Sequence, residues 1–158
     1  MKTDKWKLIK CIAIPLIVGT AASLLSGGGM EVFAAVEQPP LSPPGWLFPV
    51  VWTILYTLMG ISSYLIVTAK AEPQEISKAI SVYTYQLLVN FLWPIFFFNF
   101  QWYLFSFFWL LLLWVLVFWM IRLFYPISKI AAYMNIPYLL WLTFAGYLNL
   151  AIWWLNRG

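Results

Sequence analysis

Long apolar runs, broken by short stretches of polar, glycine or proline residues, set the pattern of this chain. Five runs stand out: Leu8–Ser26, Trp46–Ala69, Ser77–Phe98, Tyr103–Tyr125 and Ala131–Leu155. Each is close to the ~20 residues a helix needs to cross the hydrocarbon core of a bilayer. Backbone placed in lipid must satisfy its own hydrogen bonds, so a helix is expected in each run. The ~10-residue alternating segments of a membrane barrel are not what the pattern shows. The breaks carry turn chemistry: Gly27-Gly28-Gly29 ends the first run, Glu72-Pro73 opens the third, Asn99–Trp102 is a tight connection, and Tyr125-Pro126 stops the fourth. The predicted fold class is an all-α membrane protein, a five-transmembrane-helix bundle forming one domain over residues 1–158.

Charge gives the bundle a direction. Lys2, Lys5, Lys7, Lys10, Lys70, Lys78, Arg122 and Lys129 fall on one side of a five-span arrangement, and only Arg157 on the other. The first loop carries Glu31 and Glu37 and no basic residue. Positively charged flanks stay in the cytoplasm. The expectation is therefore an integral protein of a bacterial cytoplasmic membrane, with the N-terminus cytoplasmic and the first loop outside. A gain or loss of one span would scramble this partition. The basic start and the small residues Gly19-Thr20-Ala21-Ala22-Ser23 also fit a secretory signal peptide, but the run is long for one, and small residues suit close helix packing.

Composition agrees. With 64% hydrophobic and 9% charged residues, the chain has far fewer charges than the ~25% of an ordinary soluble domain. The net charge of +4 forms no stripe and no base-reading motif, so nucleic acid is not an expected partner. The single cysteine, Cys11, excludes an internal disulfide, and the absence of histidine excludes histidine catalysis and histidine ligation of metal or haem. No catalytic or metal-binding residue is assigned.

Polar and kink-forming residues inside the runs change the picture, because such groups are costly in lipid and face the bundle interior. In the third run Tyr83, Gln86, Asn90 and Phe97 share a helical face, with Trp93 and Pro94 at its edges. Pro94 removes the hydrogen bond to the Asn90 carbonyl, leaving that group and the side-chain amide to offer near mid-membrane. The fifth run aligns Tyr138, Trp141, Ala145, Asn149 and Ile152; the second aligns Phe48, Trp52, Tyr56, Met59 and Ser63. Converging stripes of this kind would make a slot walled by indoles and phenols with a few polar anchors, the usual make-up of a small-molecule site. Packing is the competing explanation for Trp52, Trp93 and Trp141, and inter-helix hydrogen bonding for Asn90 and Asn149. Trp6, Trp46, Trp102, Trp153 and Trp154 lie near run ends and suit the interfacial belt. The segment Gln38-Pro39-Pro40-Leu41-Ser42-Pro43-Pro44-Gly45-Trp46 reads as a stiff, extended connector able to act as a lid, or as a plain spacer.

Three segments carry a resemblance to the translocator protein or tryptophan-rich sensory protein (TspO/MBR) family. They are Pro39-Pro40-x-x-Pro43-Pro44 with Val51-Trp52-x-x-Leu55-Tyr56, Gln86-Leu87-x-x-Asn90-x-x-Trp93-Pro94-x-Phe96-Phe97, and Pro137-Tyr138-x-x-Trp141-x-x-Phe144-Ala145-x-x-Leu148-Asn149. The resemblance spans nearly the whole chain. It implies a five-helix bundle, commonly a homodimer, that binds porphyrins and haem-like tetrapyrroles, flat drugs or, in animals, cholesterol. Carried over by position, the ligand site would include Pro43, Trp52, Tyr56, Asn90, Trp93, Trp141, Ala145 and Leu148. Three positions depart from the family. Val32-Phe33 stands where an aromatic pair is common, Glu37-Gln38 where a basic residue is common, and Leu150 and Trp154 where a sterol motif has Tyr and a basic residue. Sterol binding by that route is therefore not expected.

The function expected is that of a membrane receptor or sensor for porphyrins or related flat apolar ligands. No cofactor is required, the tetrapyrrole being the ligand, and the partners are that small molecule and the lipid bilayer. Transport of tetrapyrroles, a light-dependent porphyrin-degrading enzyme and a purely structural bundle are the alternatives. No nucleophile–base pair or metal cluster calls for the enzyme.

Overall fold

The computed structural model describes residues 3–27 and 29–158, so the expectations for Lys2 and Gly28 lie outside the described residues. Among the described residues the chain folds into α1 (Lys5–Leu25), α2 (Gly29–Ala35), α3 (Leu47–Val67), α4 (Pro73–Pro94), α5 (Tyr103–Ile127), α6 (Lys129–Tyr133) and α7 (Ile136–Leu155). A π-helical turn, Ile95–Asn99, extends α4. Five stretches are long and apolar enough to span a membrane: α1, α3, α4 with its π turn, α5, and α6 with α7. Asp4 caps α1, its carboxylate accepting from the Lys7 N–H at 3.1 Å. Pro73 sits in the first turn of α4, where its missing N–H costs nothing.

Several boundaries differ from the sequence reading. The third span begins at Pro73 instead of Ser77, because exposed polar residues through Lys78 still form the first helical turns. Pro126 does not stop α5, which runs on to Ile127; a proline in the last turn breaks little of the ladder. The fifth span is two helices, hinged at Met134 and Asn135. Asn135 is fully buried there, and its amide donates to the Ser62 hydroxyl and to the Ala131 carbonyl, both at 2.9 Å.

The helices close a ring in the order α1, α3, α6–α7, α5, α4. α1 and α3 approach backbone to backbone. A Cβ on Gly60 would collide with the Ile12 Cα and lie 2.7 Å from the Cys11 carbonyl, and one on Gly19 would enter the Tyr56 ring. Small residues that permit such approach are how helices associate in lipid, where apolar burial alone drives little. Because successive spans alternate, Lys5, Lys7, Lys10, Lys70, Lys78, Arg122 and Lys129 mark one end of the bundle. That end is solidly packed: Ile66, Ala79, Val117, Met120, Phe124, Ala131 and Ala132 are fully buried in one cluster.

The first loop holds more structure than its sequence suggested. The unforeseen helix α2 packs on the π turn through Phe33, which is buried with Phe97 and Ile152. The proline segment is not extended. It doubles back at Leu41, whose φ of 68° is left-handed, and the Ser42 N–H and hydroxyl both bond the Pro39 carbonyl. Prolines set φ only at their own positions, so the non-proline residues between them were free to turn.

Candidate functional site

Opposite the basic end, the bundle is hollow. A cavity of about 590 Å³ lies among the C-terminal half of α1, helix α2, the N-terminal half of α3, the C-terminal half of α4 with its π turn, the stretch of α7 from Trp141 to Ile152, and the middle of α5. All three stripes read from the sequence reach it. Phe48, Trp52 and Tyr56 come from α3, Asn90, Trp93 and Pro94 from α4, Phe97 from the π turn, and Trp141, Ala145, Leu148, Asn149 and Ile152 from α7. Of the eight residues proposed for the site, Trp52, Tyr56, Asn90, Trp93, Trp141, Ala145 and Leu148 line this one space. Pro43 does not; it lies half-buried in the folded-back loop, outside the lining.

The aromatic walls hold one another in place. Trp52 stacks on Tyr56 with ring centroids 5.4 Å apart and meets Tyr138 edge-on at 6.1 Å. Phe48 sits edge-on to Trp141 at 5.8 Å and to Phe33 of α2 at 5.0 Å. Trp93 stacks on Phe97 at 5.0 Å. Offset and edge-to-face pairs like these contribute ~0.5–1.5 kcal/mol each beyond burial.

A chain of buried hydrogen bonds forms the cavity floor. The Tyr56 hydroxyl donates to Asn90 Oδ1 at 2.8 Å, Asn90 Nδ2 donates to the Tyr138 hydroxyl at 2.6 Å, and that hydroxyl donates to Gln86 Oε1 at 2.8 Å. Asn90 therefore ties three helices together, the inter-helix role that is one of the two readings of its sequence position. Asn149 is similarly engaged, accepting from the Trp93 indole N–H at 3.1 Å and donating to the Tyr103 carbonyl at 2.7 Å. In a low-dielectric interior such networks are worth keeping fully satisfied, which makes this floor rigid. One polar group beside it stands apart: the Trp141 indole N–H is buried and has no partner among the described residues. A buried donor left unpaired costs ~1–3 kcal/mol.

The charge in the wall is sparse. Among the described lining residues Glu31 alone is charged, and no group of three or more His, Cys, Asp or Glu able to hold a metal ion occurs among the described residues. The arrangement offers apolar faces and a rigid polar floor. It offers no nucleophile with an adjacent base.

Sequence periodicity found the stripes but missed part of the wall. Leu16, Gly19 and Ala22 of α1, Met30 and Phe33 of α2, and Leu110 and Leu113 of α5 also line the cavity. On α1 the small residues around Gly19 were a signal of close packing. On α5 nothing separates Leu110 and Leu113 from the many leucines beside them.

Residues 11–155 match the TspO/MBR family. The tryptophan-rich protein TspO of Archaeoglobus fulgidus is 36% identical over 151 residues, covering 95% of this chain and 97% of that protein. The protein of the same name from Chlorobaculum tepidum is 33% identical over 150 residues, covering 94% and 95%. The translocator protein of Homo sapiens is 35% identical over 138 residues, covering 84% and 79%. With the match running through all five membrane-spanning stretches, the chain belongs to the TspO/MBR family of membrane sensor and translocator proteins.

Proposed function

We propose that this protein is a membrane receptor or sensor that takes a flat, mostly apolar ligand, a porphyrin or related tetrapyrrole, into the cavity beneath its first loop. The observation that carries this reading is the cavity wall: aromatic faces from three helices around one largely apolar space. A volume of about 590 Å³ falls within the roughly 300–1,000 Å³ of small-molecule sites. In this reading Trp52 and Trp141 offer their faces to the macrocycle. Trp93 stays bound to Asn149 and serves as a fixed wall. Asn90 acts by holding Tyr56 and Tyr138. The basic residues gather at the closed end, so positive charge on the cytoplasmic side would turn the cavity toward the outer half of the bilayer.

Protoporphyrin titrated into the full chain in lipid nanodiscs should quench tryptophan fluorescence saturably. It should also raise the thermal unfolding midpoint, because a ligand that binds the native state stabilises it by mass action. Trp141→Ala should weaken binding by about tenfold, ~1.4 kcal/mol, through loss of an aromatic face. An unchanged dissociation constant in a folded Trp141→Ala protein would refute the assignment.

A further inference from the structure

The cavity wall is unevenly covered. Among the described lining residues, every exposed one comes from the α1–α2–α3 side. Thr20, Ser23 and Leu24 of α1 face Pro49 and Thr53 of α3 across the gap, with Met30 and Glu31 of α2 at its corner. The lining residues of α4, α5 and α7 are all buried or half-buried. α1 and α3 are locked together further down, where Gly60 meets Cys11 and Ile12 and Gly19 meets Tyr56. Beyond that last contact the exposed lining residues of the two helices flank the cavity.

The loop side is fastened instead. The Asn156 side chain clamps Glu37 through two hydrogen bonds of 3.0 Å, accepting from its N–H and donating to its carbonyl. The Tyr147 hydroxyl donates to the Pro40 carbonyl at 2.8 Å, and Phe33 plugs α2 against the π turn. All of these hold the first loop down onto α7 and the end of α4.

Accepting the cavity as the ligand site, we propose that its ligand enters and leaves sideways, from the bilayer, through the gap between α1 and α3. The chemistry of the gap suits lipid. Thr20 and Thr53 turn their hydroxyls back onto the carbonyls of Leu16 and Pro49, both at 2.7 Å, and so can present their methyl groups to the opening. Leu24 is 77% exposed beside them. At a rise of 1.5 Å per residue, Thr20 and Thr53 lie ~8–9 Å in from their helix ends, deep enough to meet acyl chains. A flat apolar molecule concentrates in that phase by the hydrophobic effect, so the membrane serves as its reservoir.

The test is stopped-flow quenching by protoporphyrin dimethyl ester, a neutral probe, with the full chain in nanodiscs. A Thr20→Phe, Thr53→Phe double variant narrows the gap. It should slow association and dissociation together by about fivefold or more, since a barrier affects both rates alike. Loosening the loop with Asn156→Ala and Tyr147→Phe should leave both rates within about twofold. If the double variant fails to fold, Ser23→Cys in a Cys11→Ala background, labelled with a bulky maleimide after folding, provides the same obstruction. Unchanged rates with the gap obstructed, or rates that rise on loosening the loop, would overturn the lateral route while the ligand site stands. An absence of saturable quenching in the unaltered protein would remove the site and the route together.

Discussion

The two halves of this bundle are made of similar residues and packed to opposite ends. At the basic end, side chains such as Ile66, Val117, Met120 and Phe124 are fully buried, and glycine at position 60 lets two helix backbones touch. At the first-loop end the same helices enclose about 590 Å³ of space, although their residues there are, if anything, larger. The difference lies in how the bulky groups are used. Rings at the loop end prop against one another as T-shaped and stacked pairs, holding the walls apart, while the aliphatic chains of the basic end interdigitate. Close packing is the default of a protein interior, so a rigid hollow of this size calls for bracing. Here the Tyr56–Asn90–Tyr138–Gln86 chain forms the boundary between the two regimes.

Four substitutions would break or sharpen this contrast. The largest effect is expected at Gly60. Gly60→Ala places a methyl group against the backbone of α1, which cannot step aside as a side chain could, and should cost ~3 kcal/mol, at the upper end of overpacking penalties. Thermal unfolding in detergent measures it; an unchanged midpoint would mean that α1 and α3 are not in backbone contact.

The next experiment makes one exchange in both halves. Ala79→Leu, at a fully buried position of the closed end, should cost ~1–3 kcal/mol. Ala145→Leu adds the same atoms to the cavity wall and should leave stability within about 0.5 kcal/mol, because the new side chain enters existing space. It should also weaken porphyrin binding at least about tenfold by occupying the site. Equal destabilisation by the two variants, read by thermal unfolding, would mean that the loop-end half is filled like the other.

The smallest effect is electrostatic. Glu31→Gln removes the charge at the cavity mouth and should tighten binding of dicarboxylate protoporphyrin by about twofold, as expected for two like charges in a wet, high-dielectric setting. Its neutral dimethyl ester should bind both proteins alike. Fluorescence titration of the two probes gives the ratio, and an equal change for both would point to shape instead of charge.

Much of the molecule was legible in the linear pattern. The number of crossings follows from run length against bilayer thickness, and the shared end of the basic residues follows from that count. The faces bearing Trp52, Asn90 and Trp141 follow from the 3.6-residue period, because side chains repeating at that interval must share one side of a helix. Tight α1–α3 contact was foreshadowed by small residues around Gly19. The family resemblance was carried by motifs on three of the five spans, and residues 11–155 match that family.

Only the tertiary structure decided the rest. Periodicity shows which residues share a face but not whether the groups on it are already spent, and Asn90, legible as an anchor, spends its side chain on Tyr56 and Tyr138. The turn at Leu41 and helix α2 depend on what the loop packs against, chiefly Asn156, Tyr147 and the π turn, all distant in sequence. That is why Pro43 fell outside the cavity while Phe33 lines it. Local rules act through a helix's own hydrogen-bond ladder and its solvent. A cavity is a relation among six helical segments, and no single one of them encodes the space left between them.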